Sequence, residues 1–116
     1  MRPCPHFIDG RWNTHSGEPT SPVFNPSTGE EIAATPLAGA ELVDEAVRSA
    51  HAAFPGWWET PAVDRVQVLF RFKSLLETHF EELATLVSTE HGKTLPEARG
   101  DVRRGIQMVE YATSIH

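Results

Sequence analysis

The chain has 116 residues, 40% of them hydrophobic and 22% charged, which is the make-up of one small folded domain and not of a disordered segment. Sixteen acidic residues outweigh ten basic ones to give a net charge of −6, which excludes a phosphate-neutralising nucleic-acid surface; the short basic cluster of Arg99, Arg103 and Arg104 does not reverse that balance. No run approaches the roughly 18 apolar residues of a membrane span, and Met1 to His6 carry no apolar export segment, so a cytoplasmic protein with no membrane partner is expected.

A single cysteine, Cys4, has no partner for an internal disulfide and no helix start or neighbouring base to activate it, so it reads as a bystander thiol. His6 to Trp12 reads as two short strands around an Asp9-Gly10 turn, a pair that tolerates the positive φ angles of a tight hairpin. Asn13 to Ser21 is polar and loop-like. Val23 and Phe24 resume a strand, Asn25 to Gly29 form a turn, and Glu31 to Thr35 return as a strand that Pro36 closes.

Leu42 or Val43, Ala46, Val47, Ala50 and Phe54 carry a helical period whose alanine face predicts tight packing, and Pro55 with Gly56 is expected to stop that helix. Trp57 and Trp58 then fall in a connection, where their rings would pack into the core. Thr60 and Pro61 read as the N-cap and first residue of one long helix. Its wide apolar face includes Val66, Leu69, Phe70, Phe72, Leu76, Phe80, Leu83 and Val87. Three helices with a small sheet cannot cover such a face, so the chain is expected to need a partner surface.

Glu90 to Thr94 is a loop feeding a last helix. Thr94 and Glu97 stand in capping-box spacing, Pro96 fits a first turn, and Ala98, Val102, Ile106 and Val109 form one apolar stripe. Gly100 and Gly105 each cost that helix roughly 1 kcal/mol relative to alanine, which predicts a close neighbour or ligand where their side chains are missing. The pattern runs to Ile115 and His116 without a stop, so the chain is expected to end within a helix or just at its end.

No dinucleotide-binding glycine motif, H-E-x-x-H or paired C-x-x-C is present, and the six histidines lack ligand spacing, so no metal site is expected. Gly92-Lys93-Thr94 has the ending of a phosphate loop, but Val87 stands where the first glycine of that loop belongs. No acid and base can be paired from spacing alone, and Glu77, Glu81 and Glu82 read as a solvated helix surface. The residues by themselves give a soluble α/β piece with an unfinished hydrophobic surface.

Read as phrases, Phe7 to Trp12 (F-I-D-G-R-W), Phe24 to Ile32 (F-N-P-S-T-G-E-E-I) and Glu90 to Thr94 (E-H-G-K-T) stand in the order and spacing of the aldehyde dehydrogenases. The likeness runs from Phe7 to Ile115 and resembles the N-terminal part of that superfamily. Val68 to Phe72 (V-L-F-R-F), Ala98 to Ile106 (A-R-G-D-V-R-R-G-I) and Val109 to Ala112 (V-E-Y-A) resemble the CoA-acylating methylmalonate-semialdehyde dehydrogenases.

The resemblance implies an α/β fold, with short β-hairpins followed by three α-helices, incomplete without a downstream Rossmann-type sheet. Residues 1–116 would then be part of an NAD-binding domain and no complete domain of their own. The implied parent is a homo-tetramer that oxidises methylmalonate or malonate semialdehyde with NAD, releases the carboxyl group, and passes the acyl group to CoA. Propionyl-CoA or acetyl-CoA results, as in valine breakdown. The family's nucleophilic cysteine, its oxyanion-holding asparagine and its NAD loop would all lie beyond residue 116, so the chain alone is expected to be inactive. Arg104 matches the arginine of the family's E-V-x-R-G phrase that holds the substrate carboxylate, with Asp101 in place of the more usual glutamate. A planar guanidinium suits that task because its fork can grip both carboxylate oxygens. The bland reading of Arg104 is a helix-surface arginine paired with Asp101 at i,i+3. Arg103 lies about 100° around the helix and cannot share one pocket equally. The rival readings are a non-acylating aldehyde dehydrogenase and a non-catalytic helical interaction module.

Overall fold

The computed structural model describes residues 2–13 and 19–115, in two compact units, Met1–Glu59 and Thr60–His116. The first holds strands β1 (Arg2–Pro3), β2 (His6–Ile8), β3 (Arg11–Asn13), β4 (Thr20–Phe24) and β5 (Glu31–Pro36), followed by helix α1 (Ala40–Glu59). The second is helical: α2 (Ala62–Thr78), α3 (Phe80–His91) and α4 (Leu95–Ala112).

β2 and β3 form the expected hairpin. Asp9 and Gly10 adopt φ of 53° and 70°, the left-handed pair that a two-residue turn requires, and Phe7 and Trp12 stand opposite each other with ring centroids 4.8 Å apart. β5 is the middle of a separate three-stranded sheet, antiparallel to β4 and parallel to β1. The β4–β5 turn is set by Asn25. Its side chain accepts from the Ser27 amide at 2.9 Å and its carbonyl from the Gly29 amide at 2.8 Å, with Gly29 at φ 73°. Of the loop expected over Asn13 to Ser21, residues 14–18 lie outside the described residues, while Asn13 ends β3 and Thr20 and Ser21 open β4.

α1 does not stop at Pro55. The helix continues through Gly56, Trp57 and Trp58 to Glu59, so the two tryptophans are helical and not in a connection. A proline inside a helix forfeits one amide donor and crowds the carbonyl four residues back. Here Phe54 and Trp58 bracket it at i,i+4 with ring centroids 5.9 Å apart, a contact that supports the helix across the defect. Neither tryptophan is core: Trp58 is 69% exposed, and Leu42 is the one buried residue of α1 among those described. The alanine face is not tightly packed within this unit, because Ala46, Val47 and Ala50 line an open groove with Phe7 and Ile8.

The long helix expected from Thr60 to Val87 is two helices. His79, at φ −99° and ψ 18°, is both the C-cap of α2 and the N-cap of α3, and the helix count rises from three to four. No glycine or proline marks this break. Thr78 bonds back to the Ser74 carbonyl at 2.9 Å, and Phe80 beyond the break packs on α4 under the Arg103 guanidinium, 4.7 Å from ring centroid to Cζ. The start of α2 also moves by one: Pro61 is the N-cap and Ala62 the first helical residue.

α4 is the element on which the second unit packs. Ala98 and Ile106 are buried at 0% and 1% exposure, with Val102 and Val109 half-buried beside them, as the stripe predicts. The capping box forms: the Thr94 amide donates to Glu97 Oε2 at 3.1 Å and the Thr94 hydroxyl to the same oxygen at 2.7 Å. The helix ends at Ala112, earlier than the pattern suggests. The Thr113 and Ser114 hydroxyls there bond back to the Glu110 and Tyr111 carbonyls at 2.7 Å each, and His116 lies outside the described residues.

Candidate functional site

Three arginines on one helix are the obvious anion grips, and the fold separates their tasks. Arg99 faces α3, where Nε lies 3.0 and 3.1 Å from the two carboxylate oxygens of Glu81 and Nη2 lies 2.9 Å from Oε2. Arg103 faces α2, with Nη1 2.6 Å from Glu77 Oε1 and the guanidinium over the Phe80 ring. Lys73 on α2 reaches Glu110 on α4 at 2.5 Å. These pairs lace α4 to its neighbours, so Glu77 and Glu81 are bridging residues and not a free solvated surface.

Among the described residues Arg104 has no such tie to another helix. Its Nη2 donates to Asp101 Oδ1 one turn earlier, and its side chain is 75% exposed. The separation of Arg103 from Arg104 around the helix is therefore realised: one serves packing and the other faces outward. Asp101 is the better covered partner at 25% exposure, and its second oxygen, Oδ2, lies 2.5 Å from Lys93 Nζ.

Lys93 is the residue that sequence reasoning missed. Gly92 caps α3 in the left-handed region at φ 78°, its amide bonding the Ser88 carbonyl at 2.9 Å, and the chain turns so that Thr94 opens α4. The Ser88 hydroxyl holds the Lys93 carbonyl at 2.7 Å, and the lysine reaches eight positions onward to Asp101. Gly92-Lys93-Thr94 is thus a helix cap, a cation and an N-cap, and not a phosphate cradle. The available signal was an aspartate two turns into a helix, whose side chain tilts back toward the helix start where Lys93 sits.

The charges follow this geometry. The hydrogen bond from Lys93, and then that from Arg104, hold the Asp101 carboxyl below the ordinary aspartate range, so it is ionised near neutral pH. The Thr94 hydroxyl and amide lower Glu97 in the same way, and Arg99 lowers Glu81. The expected close neighbours of Gly100 and Gly105 are not found: nothing in the described structure comes within 4 Å of a Cβ built at either. Cys4 is a free, half-buried thiol. Among the described residues no group of three or more potential metal ligands comes together, and no helix is long and apolar enough to cross a membrane.

The profile of the aldehyde dehydrogenase family matches residues 12–116. The chain is 49% identical over 107 residues to a malonate-semialdehyde dehydrogenase of Pseudomonas aeruginosa, covering 92% of this chain and 21% of that relative. It is 45% identical over 108 residues to malonate-semialdehyde dehydrogenase 2 of Oceanobacillus iheyensis, covering 93% and 22%. It superposes with a TM-score of 0.92 and 42% identity on a methylmalonate-semialdehyde dehydrogenase of Oceanimonas doudoroffii, over 97% of this chain and 23% of that one. A methylmalonate-semialdehyde dehydrogenase candidate from Sinorhizobium meliloti 1021, complexed with NAD, gives a TM-score of 0.93 at 39% identity, over 99% and 23%. The chain thus spans about a fifth of the length of the curated relatives it matches. Its four helices and two small sheets have the fold of the N-terminal part of these enzymes, and the chain belongs to the aldehyde dehydrogenase family.

Proposed function

We propose that this chain is the N-terminal portion of an NAD-dependent, CoA-acylating semialdehyde dehydrogenase and that Arg104 holds the substrate carboxylate. The observation that carries the reading is the division of labour on α4: Arg99 and Arg103 are committed to Glu81 and Glu77, while the Arg104 side chain, paired within its own helix to Asp101, is 75% exposed. Relatives named for malonate semialdehyde support an acid-bearing aldehyde as substrate. In the reaction proposed for the whole enzyme, malonate semialdehyde, CoA and NAD⁺ give acetyl-CoA, carbon dioxide and NADH. The methylmalonate analogue gives propionyl-CoA.

NAD enters as the cofactor of a solved neighbour and of the proposed parent. The described residues do not fit it. A dinucleotide pyrophosphate needs clustered glycine amides at a helix start, whereas Gly10, Gly29 and Gly92 serve a hairpin, an Asx turn and a helix C-cap, and the start of α4 is taken by the Glu97 carboxylate. No step through NAD is therefore assigned to this stretch, and residues 1–116 are proposed to be only part of the NAD-binding domain of a homo-tetrameric parent. The segment's contribution is recognition: a cation held at the end of the substrate remote from the aldehyde orients it for attack without entering the chemistry.

The test is a chimera in which this chain replaces the matching segment of the Pseudomonas aeruginosa enzyme. With NAD, CoA and malonate semialdehyde, it is expected to form acetyl-CoA and NADH in equal amounts. A chimera that folds and oxidises propanal but has lost its preference for malonate semialdehyde would contradict a carboxylate-holding role for the segment. The 116-residue chain alone is expected to give no NADH; turnover that Cys4→Ala abolishes would overturn the account of Cys4 as a bystander.

A further inference from the structure

We infer that Asp101, anchored by Lys93, is a positioning residue that aims the Arg104 guanidinium at the substrate carboxylate, an inference that rests on the reading of Arg104 given above. An arginine carries five N–H donors. One, on Nη2, is taken by Asp101 Oδ1, and among the described residues no other group bonds this guanidinium. The grip on one edge leaves the remaining donors for an incoming anion. A long exposed side chain loses much rotational freedom on binding, and fixing one edge beforehand removes part of that loss.

The anchor is built in steps from the backbone. Ser88 near the end of α3 holds the Lys93 carbonyl at 2.7 Å, Lys93 Nζ holds Asp101 Oδ2 at 2.5 Å, and Asp101 Oδ1 receives Arg104. The anchor is better covered than the group it holds: the Lys93 and Asp101 side chains are 34% and 25% exposed, against 75% for Arg104. Lys93 shares the Asp101 carboxylate, so Asp101 is not left to Arg104 alone. With Glu97, which feels both Lys93 and Asp101 and has its carboxylate turned onto Thr94, the four charges sum to zero, so the grip on a carboxylate comes from the aimed guanidinium donors and not from net charge.

Asp101→Ala separates positioning from plain electrostatics because the two predict opposite signs. Removing the carboxylate adds a net positive charge, so electrostatics alone lowers KM for malonate semialdehyde in the chimera. Positioning raises it, by about threefold to tenfold for the loss of one charge-assisted contact, with a smaller change for propanal and with Asp101→Glu recovering most of the loss. Lys93→Met is expected to raise KM in the same range. A readout free of activity comes from the 116-residue chain itself, where ¹⁵N relaxation of the Arg104 Nε–H should show order that Asp101→Ala and Lys93→Met both remove. A fall in KM for Asp101→Ala, or an Arg104 Nε–H no more mobile in either variant than in the unsubstituted chain, overturns the positioning role. If Arg104→Leu itself spares malonate semialdehyde, the reading of Arg104 fails; if Arg104→Leu is selective and Asp101→Ala is not, only the positioning fails.

Discussion

Arg99 and Glu81 form a forked ion pair between α4 and α3, with three nitrogen–oxygen contacts of 2.9 to 3.1 Å bridging 18 positions of sequence. The pairing lowers the Glu81 carboxyl and raises the Arg99 guanidinium. Glu97 and Asp101 are lowered as well, by Thr94 and by Lys93 with Arg104 respectively. A carboxylate whose folded pKa is depressed contributes stability that is fully present above its unfolded value and lost as pH falls through the folded one. The melting temperature of the chain should therefore hold level from neutrality to about pH 5 and drop below about pH 4, where unfolded carboxylates begin to protonate. Glu81→Gln should flatten part of that acid slope, and because Glu81 and Arg99 are well exposed, about 0.5 M salt should flatten it further. A melting temperature unchanged down to about pH 3 contradicts these assignments.

Gly100→Ala and Gly105→Ala should each stabilise the chain by about 0.5 to 1 kcal/mol. Both glycines are helical, neither has a positive φ, and open space surrounds the position of the added methyl. Chemical denaturation of the two variants checks this. If either substitution lowers stability in the chimera while raising it in the isolated chain, a segment outside these residues packs against that glycine.

Ile106→Ala should cost about 2 to 5 kcal/mol, since Ile106 is the largest fully buried side chain among the described residues. Thr94→Ala, which removes the N-cap of the same helix, should cost about 1 kcal/mol. Gly92→Ala should cost about 1 to 2 kcal/mol because alanine resists the left-handed conformation at φ 78°. Equal effects for Ile106 and Thr94 in urea unfolding would mean that α4 is not the packing centre of its unit.

The isolated chain should associate or bind apolar dyes. Only Ala33, Leu42, Ala84, Ala98 and Ile106 are buried apolar residues among those described, whereas Val47, Trp58, Val63, Phe70, Phe72 and Leu75 each leave nearly half or more of their surface open. A monodisperse monomer by light scattering, unfolding cooperatively without dye binding, contradicts that expectation.

What the sequence disclosed was local chemistry. Asp9-Gly10, Asn25 to Gly29, and Thr94 with Glu97 each encode a turn or cap within a few residues, and each stands where its spacing predicts. The stripe from Ala98 to Val109 was readable because one helical face needs only a period. The break at His79 was not readable, since no residue there is a helix breaker and the contact of Phe80 with α4 just beyond it is long-range. Pro55 misleads in the opposite sense, because an i,i+4 ring pair spans the defect. At the candidate site, the i,i+3 pairing of Arg104 with Asp101 follows from helical spacing. The contact from Lys93 was signalled only by an aspartate two turns into α4 that tilts back toward the helix start, and it depends further on how Gly92 turns the chain between two helices.

The role of Arg104 is tested most directly by kcat/KM for malonate semialdehyde and for propanal in the chimera carrying Arg104→Leu or Arg103→Leu. Losing a charged hydrogen bond to the substrate carboxylate should lower the value for malonate semialdehyde about tenfold to a hundredfold in Arg104→Leu, and affect propanal, which has no carboxylate, far less. Arg103→Leu, which cuts the tie to Glu77, should reduce stability and treat the two substrates alike. Equal loss on both substrates in Arg104→Leu, or a selective loss for the semialdehyde in Arg103→Leu alone, would contradict the assignment and return Arg104 to the surface of its helix.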